Sequence, residues 1–197
     1  NGNMNIWQRG TTQLPLNNGN YLADRWTYEE FCGAVVDGRR SANVPTFAQS
    51  GHKFNYSMEI DVITADASVT ATEIAVMRQG MEGYQWTYWT QRAFVFSFWG
   101  MSPKTGTHSL GLQAESNFFA GTYTVNSANT WEYKSVNVPA CPSGGAQSFD
   151  NTIGLIISWV LLAGSDAHSS TPNVWTTNVG QLASASQVNC LDDVANF

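Results

Sequence analysis

Arg92-Ala93-Phe94-Val95-Phe96-Ser97-Phe98-Trp99-Gly100-Met101 decides the fold class. Phe94, Phe96 and Phe98 recur at every second position, so an extended strand sets all three on one face and Val95, Ser97 and Trp99 on the other. A helix would scatter the three rings around its girth, and aromatic and β-branched residues favour strands. Burying the rings would contribute about 5–9 kcal/mol before conformational entropy is charged. Ser102-Pro103-Lys104-Thr105-Gly106 then ends the strand with turn chemistry, and the expected partner is His108–Gln113, across that hairpin.

Ile153 to Leu162 is the second strong stretch. It is apolar at both parities, with Ile153, Leu155, Ile157, Trp159 and Leu161 on one face and Ile156, Val160 and Leu162 on the other. That pattern predicts an inner strand covered on both sides. It is too short for a membrane span, which needs about 20 apolar residues.

The remaining strands are read from alternation and turn signals. Met4–Gly10, Tyr21–Tyr28 and Cys32–Val36 are expected as early strands, with Asn17-Asn18-Gly19-Asn20 as a turn and 37–53 as loop. Phe54–Val62 alternates, with Phe54, Tyr56, Met58, Ile60 and Val62 on one face. Thr70–Met81 fits two templates. Thr70 and Glu73 have capping-box spacing and Ile74, Met77 and Met81 a helical stripe, while Thr72, Ile74 and Val76 suit the strand adopted here. Gly121–Val125 and Trp131–Val138 are further strands; 83–91, 139–151 (with Gly144 and Gly145) and 163–173 are loops, and 174–196 is a mostly irregular crossing segment. About nine short strands predict an all-β fold, a two-sheet antiparallel sandwich of the jelly-roll type, with residues 1–197 as a single domain.

Composition narrows the function classes. Charged residues make up 12% of the 197, well below the ~25% of an average globular protein. Asn, Thr, Ser, Gln and Gly must therefore supply the polar surface. The net charge is −6 with no run of Lys or Arg, which argues against a nucleic-acid partner because phosphates demand a basic footprint. No basic amphipathic helix points to a membrane surface, and no membrane insertion is expected. Cys32, Cys141 and Cys190 are far apart, so buried free thiols are favoured over a disulfide with one thiol left over. The chain starts without Met and is expected to be a fragment of a longer protein.

Few residues propose themselves for catalysis. His52, His108 and His168 lie apart, with no Gly-x-Ser-x-Gly elbow; His108 is expected to pack and His168 to be solvated. No spacing suggests zinc, and neither Asp61 with Asp66 nor Asp192-Asp193 has the form of a calcium loop, so no metal or cofactor is expected. Glu29, Glu30, Glu73 and Glu82 could supply the two carboxylates of a glycosidase only by tertiary accident, and they read as surface acids. Asn55-Tyr56-Ser57 matches the glycosylation pattern but falls in an expected strand. The stretch most suggestive of binding is Tyr84-Gln85-Trp86-Thr87-Tyr88-Trp89. Tyr84, Trp86, Tyr88 and Trp89 could stack on the CH faces of a sugar while Gln85 and Gln91 meet its hydroxyls. The same rings could instead cover an edge of the fold or a subunit interface.

Several motifs, in order, resemble one family. Asn5-Ile6-Trp7-Gln8-Arg9-Gly10-Thr11 followed by Tyr21-Leu22-Ala23-Asp24-Arg25-Trp26 is similar to the opening of bacteriophage fibre, tail and virion-appendage domains. Arg78-Gln79-Gly80-Met81-Glu82-Gly83 resembles a Gln-x-x-Glu element there, and Phe94–Trp99 with Lys104-Thr105-Gly106-Thr107 resembles its hairpin. Trp131-Glu132, Gly154-Leu155 to Gly164-Ser165, and Val174-Trp175 resemble its later segments. The resemblance implies a carbohydrate-binding-like jelly roll displayed on a virion, not an enzyme, in a homo-oligomer for which a trimer is favoured. Its partners would be other virion subunits and host-surface glycan. A structural head-fibre, cement or knob protein is the alternative, and a polysaccharide depolymerase or esterase a more distant one. Asp24, Arg25, Gln79 and Glu82 are polar within strand-like runs, and they are expected to form structural hydrogen bonds or an ion pair beneath the loops.

Overall fold

The computed structural model describes residues 1–142 and 148–195. Gly144, Gly145 and the last residues of the chain lie outside that range. The protein is mostly β, with antiparallel sheets and few short helices.

The largest sheet is built from β2 (Trp26–Phe31), β5 (Ile74–Glu82), β7 (Gly106–Ala114), β8 (Asn117–Val125), β10 (Ile153–Ala163) and β12 (Trp175–Thr176). Its six strands run in the order β12-β8-β7-β10-β5-β2. The apolar run at 153–162 is inner, as its double-sided pattern predicts, with β5 on one side and β7 on the other. A register shift between Val160 and Leu162 interrupts its alternation. Leu155, Ile157 and Trp159 face one side; beyond the shift Leu162 joins that side, while Val160 packs on the other with Val76, Phe118, Leu182 and Ala183. A bulge of this kind moves every later side chain to the opposite face.

Two smaller sheets cover the Trp159 face. The first has the order β1-β3-β4, from Thr12–Leu16, Val35–Ser41 and Ser57–Thr64. Its Val36 and Val62 pack with Trp26, Tyr28, Ala75 and Met77. The second pairs β6 (Phe94–Gly100) with β9 (Glu132–Val138), and its Val136 and Val138 pack with Leu110, Leu112, Phe119 and Ile157. Trp159 lies under both, with ring centroids 4.9 Å from Trp26 and 5.5 Å from Phe96 and Phe98. On the opposite face the segment after β10 supplies the cover, through β11 (His168–Ser169) paired in parallel with β13 (Ala183–Ser184).

Several expectations are corrected. β6 does not pair with β7: the Ser102–Gly106 connection carries the chain from one layer to the other, so the hairpin partner of β6 is replaced by β9, seven residue pairs in regular register. The buried faces explain the choice, because Phe96 and Phe98 reach Trp159 from above while Leu110 and Leu112 of β7 belong to the sheet that carries it. Met4–Gly10 is not a strand; its Ile6 carbonyl accepts from Asp24 N and its Trp7 Nε1 donates to Met4 O. Tyr21–Arg25 is a turn closed by a Tyr21–Thr27 bridge, with Arg25 at φ 74°, and the strand starts at Trp26. The third strand begins at Val35 and runs into what reads as loop, to Ser41; Arg39 is tolerated there because Glu59 and Asp61 on β4 neutralise it. At 70–81 the strand reading prevails over the helix, and the Thr70–Glu73 pair closes a turn before β5, with Thr70 N donating to Glu73 Oε2. The expected loop at 83–91 opens with a short helix, α2 (Gly83–Trp86), and another, α1 (Phe47–Ser50), lies in the 37–53 region.

Candidate functional site

The aromatic turn grows out of the sheet. β5 ends at Glu82, and Gly83 N and Tyr84 N donate to Thr152 O and Asp150 O at 2.8 and 2.9 Å, which anchors the turn to the start of β10. Gly83 and Gly154 make this approach possible: a Cβ on Gly154 would lie 2.6 Å from Gly83 Cα. Trp89 N and Thr90 N both donate to Trp86 O, which winds the chain so that Trp86 points in while its neighbours point out. Trp86 is fully buried, edge-on to Phe94 with centroids 6.4 Å apart. Tyr84, Tyr88 and Trp89 are 61%, 74% and 50% exposed. Of the four rings proposed for ligand binding, Trp86 is therefore withdrawn: a ring sealed in the core offers no face to a ligand, and its role is to fix the turn. Sequence gave no means of telling Trp86 from Trp89, since both lie in a short segment without regular period.

The four polar residues separate. Arg25 Nη2 meets Glu82 Oε1 at 3.2 Å, so the expected ion pair is present, but both side chains are about half exposed and it lies on the surface, not beneath loops. Asp24 Oδ1 accepts from Gln8 N at 3.1 Å and orders the amino-terminal segment. Gln79 lines the cavity described below. Such an exposed pair contributes about 0–1 kcal/mol.

The acids and histidines are largely committed to structure. Glu29 pairs with Arg78, Asp61 with Arg39, and Asp192 with Lys104 at 2.8 Å. Asp66 accepts from Gly33 N at 2.8 Å. His108 is buried, stacked on Tyr123 at 5.5 Å, with Nε2 3.0 Å from Lys104 O; burial lowers its pKa below the usual histidine range. His168 Nε2 lies 3.2 Å from Ala163 O. None of the three cysteines is in a disulfide, and burial pushes the thiols of Cys32 up to about 11 and Cys190 up to about 12, which suppresses the thiolate. Among the described residues, no three His, Cys, Asp or Glu side chains gather into a metal-binding group, and no helix is long and apolar enough to cross a membrane.

A second feature escaped the sequence reading. A cavity of about 580 Å³ lies between the layers where β4 and β6 approach, floored by Met77 and Trp159 and walled by Met58, Ile60, Phe96 and Phe98. Phe96 and Phe98 border it and are half-buried instead of sealed in the core, while Phe94 packs edge-on to Trp86 and Trp89 of the turn. The signal was present as two alternating faces, one on β4 and one on β6, but nothing local shows that they meet.

Comparison with protein-family models, with curated proteins and with solved structures finds no match to this chain.

Proposed function

We propose that this chain is a non-catalytic domain of a bacteriophage virion appendage, a jelly-roll-type sandwich that binds host-surface glycan through Tyr84, Tyr88 and Trp89. The observation that carries the binding site is the aromatic turn: three exposed rings held on a rigid base by a buried Trp86. Tyr and Trp present an apolar face and a polar tip, which suits a ligand that has both. The virion assignment rests on the ordered motifs from Asn5 to Trp175 that resemble phage appendage domains. Display on a homotrimer would raise weak single-site binding by avidity.

A second reading is structural contact with another virion subunit. It is favoured by Phe149 and Ile153, 48% and 56% exposed, which extend the apolar surface beside the turn. A glycan array and a host-cell binding assay with the wild-type protein and the Tyr88→Ala/Trp89→Ala variant separate the two. Glycan binding is expected to fall at least tenfold in the variant while the fold is kept. Equal binding by variant and wild type would remove the site, and wild-type self-association lost in the variant would favour the structural reading.

A further inference from the structure

We propose that the cavity between β4 and β6 is a docking slot for an extended polypeptide strand, which pairs with both strands and joins the two small sheets into one layer. Three observations carry this. β4 is bonded to β3 alone and β6 to β9 alone, so among the described residues each has one edge without a strand partner. Both strands border the cavity with consecutive residues, Ser57 to Ile60 and Phe96 to Gly100, as strands that present an edge to it would. The apolar side chains around it, Met58, Ile60, Phe96, Phe98 and Trp159, are only half-buried, so a further apolar surface would complete their burial.

The chemistry of the occupant follows from the walls. An unpaired strand edge is a row of amide N–H and carbonyl groups, and an extended backbone satisfies such a row in full. Exposed edges are usually defended by charge, proline or a bulge. β6 has none of these: Phe94–Gly100 carries no charge or proline and pairs with β9 without a register shift. On β4, Glu59 and Asp61 are held by Arg39. The floor is apolar, so the inward residues of the bound strand are apolar at every second position, and its outward residues are polar. β6 has seven residues and β4 eight, which sets the length at about seven or eight.

The test uses the whole chain and a library of synthetic octapeptides with Val, Ile, Leu or Phe at four alternating positions and Ser, Thr, Asn or Gln at the other four. Binding is read by hydrogen exchange of the protein amides. The expected result is a member that slows exchange in 57–64 and 94–100 at least tenfold, with little change in β7 or β10. Successive residues of a strand direct their N–H groups to opposite sides. The selected peptide is therefore remade twice, N-methylated at its odd or at its even residues, and each form is expected to bind at least tenfold more weakly. Full binding by either form would overturn pairing on both edges. Failure of every library member to protect either strand, or protection of both strands by self-association of the protein alone in sedimentation, would overturn the proposal.

Discussion

At the scale of single residues, burial separates side chains that look alike in sequence. Trp86 and Tyr88 are two positions apart, yet one is sealed in and the other is 74% exposed. Trp86→Ala is expected to cost about 3–5 kcal/mol in urea unfolding, the range for deleting a large buried ring. Tyr88→Ala should stay within about 0.5 kcal/mol of wild type. A loss for Tyr88→Ala comparable to that for Trp86→Ala would contradict the exposed placement. Lys134 is the other instructive residue. It is an inward position of β9, opposite Phe98, yet it carries a charge. Its ammonium donates to Thr124 O and to Glu132 Oε2, so the charge is paired and hydrogen-bonded. Lys134, together with the amides of Asn126 and Ser127, holds the Glu132 carboxyl down to about 2 from the usual 4.5. A carboxyl whose pKa is lower in the folded state than in the unfolded one contributes stability above the unfolded value and loses it as pH falls. Thermal unfolding of the wild type should therefore weaken between about pH 4.5 and pH 2. Glu132→Gln, which cannot titrate, is expected to show a shallower decline over the same interval.

Elements depend on contacts that no local pattern reports. The aromatic turn rests on β10 through Gly83 and Gly154, where backbone meets backbone. In Gly154→Ala the added methyl would have to sit 2.6 Å from Gly83 Cα and 2.9 Å from Ser148 O. Overpacking against backbone should destabilise by about 1–3 kcal/mol and loosen the turn, seen as faster amide exchange at 83–90. An unchanged unfolding midpoint and unchanged exchange would count against this contact. The strand elements show the same division. Alternation located β6 and the inner strand β10 because each buries a face whose period is short-range. It misplaced the partner of β6 because pairing is decided by which sheet buries the face. It also misjudged Met4–Gly10, where the side chains of Asn1 and Asp24 take up backbone groups that a neighbouring strand would otherwise bond.

Over the whole molecule, Trp159 is the joint. It is packed against both principal core clusters, reaching Trp26 on one side and Phe96 and Phe98 on the other. Trp159→Ala is expected to cost about 2–4 kcal/mol, somewhat below the full value for a sealed ring because it is half-buried. The loss should also uncouple the covering sheets, so that exchange rises in both β4 and β6. Destabilisation confined to one of them would show that the clusters are independent.

Sequence by itself determined the secondary-structure class, the inner strand and the aromatic turn as a region of interest. Each of these rests on residue type and on a period of two, which a single strand or turn displays without help from the rest of the chain. Only the tertiary structure decided that β6 pairs with β9, that Trp86 turns inward, and that two strand edges, without a strand partner among the described residues, border one cavity. Those outcomes depend on which apolar faces meet across layers, and contacts between residues distant in the chain leave no mark on local pattern.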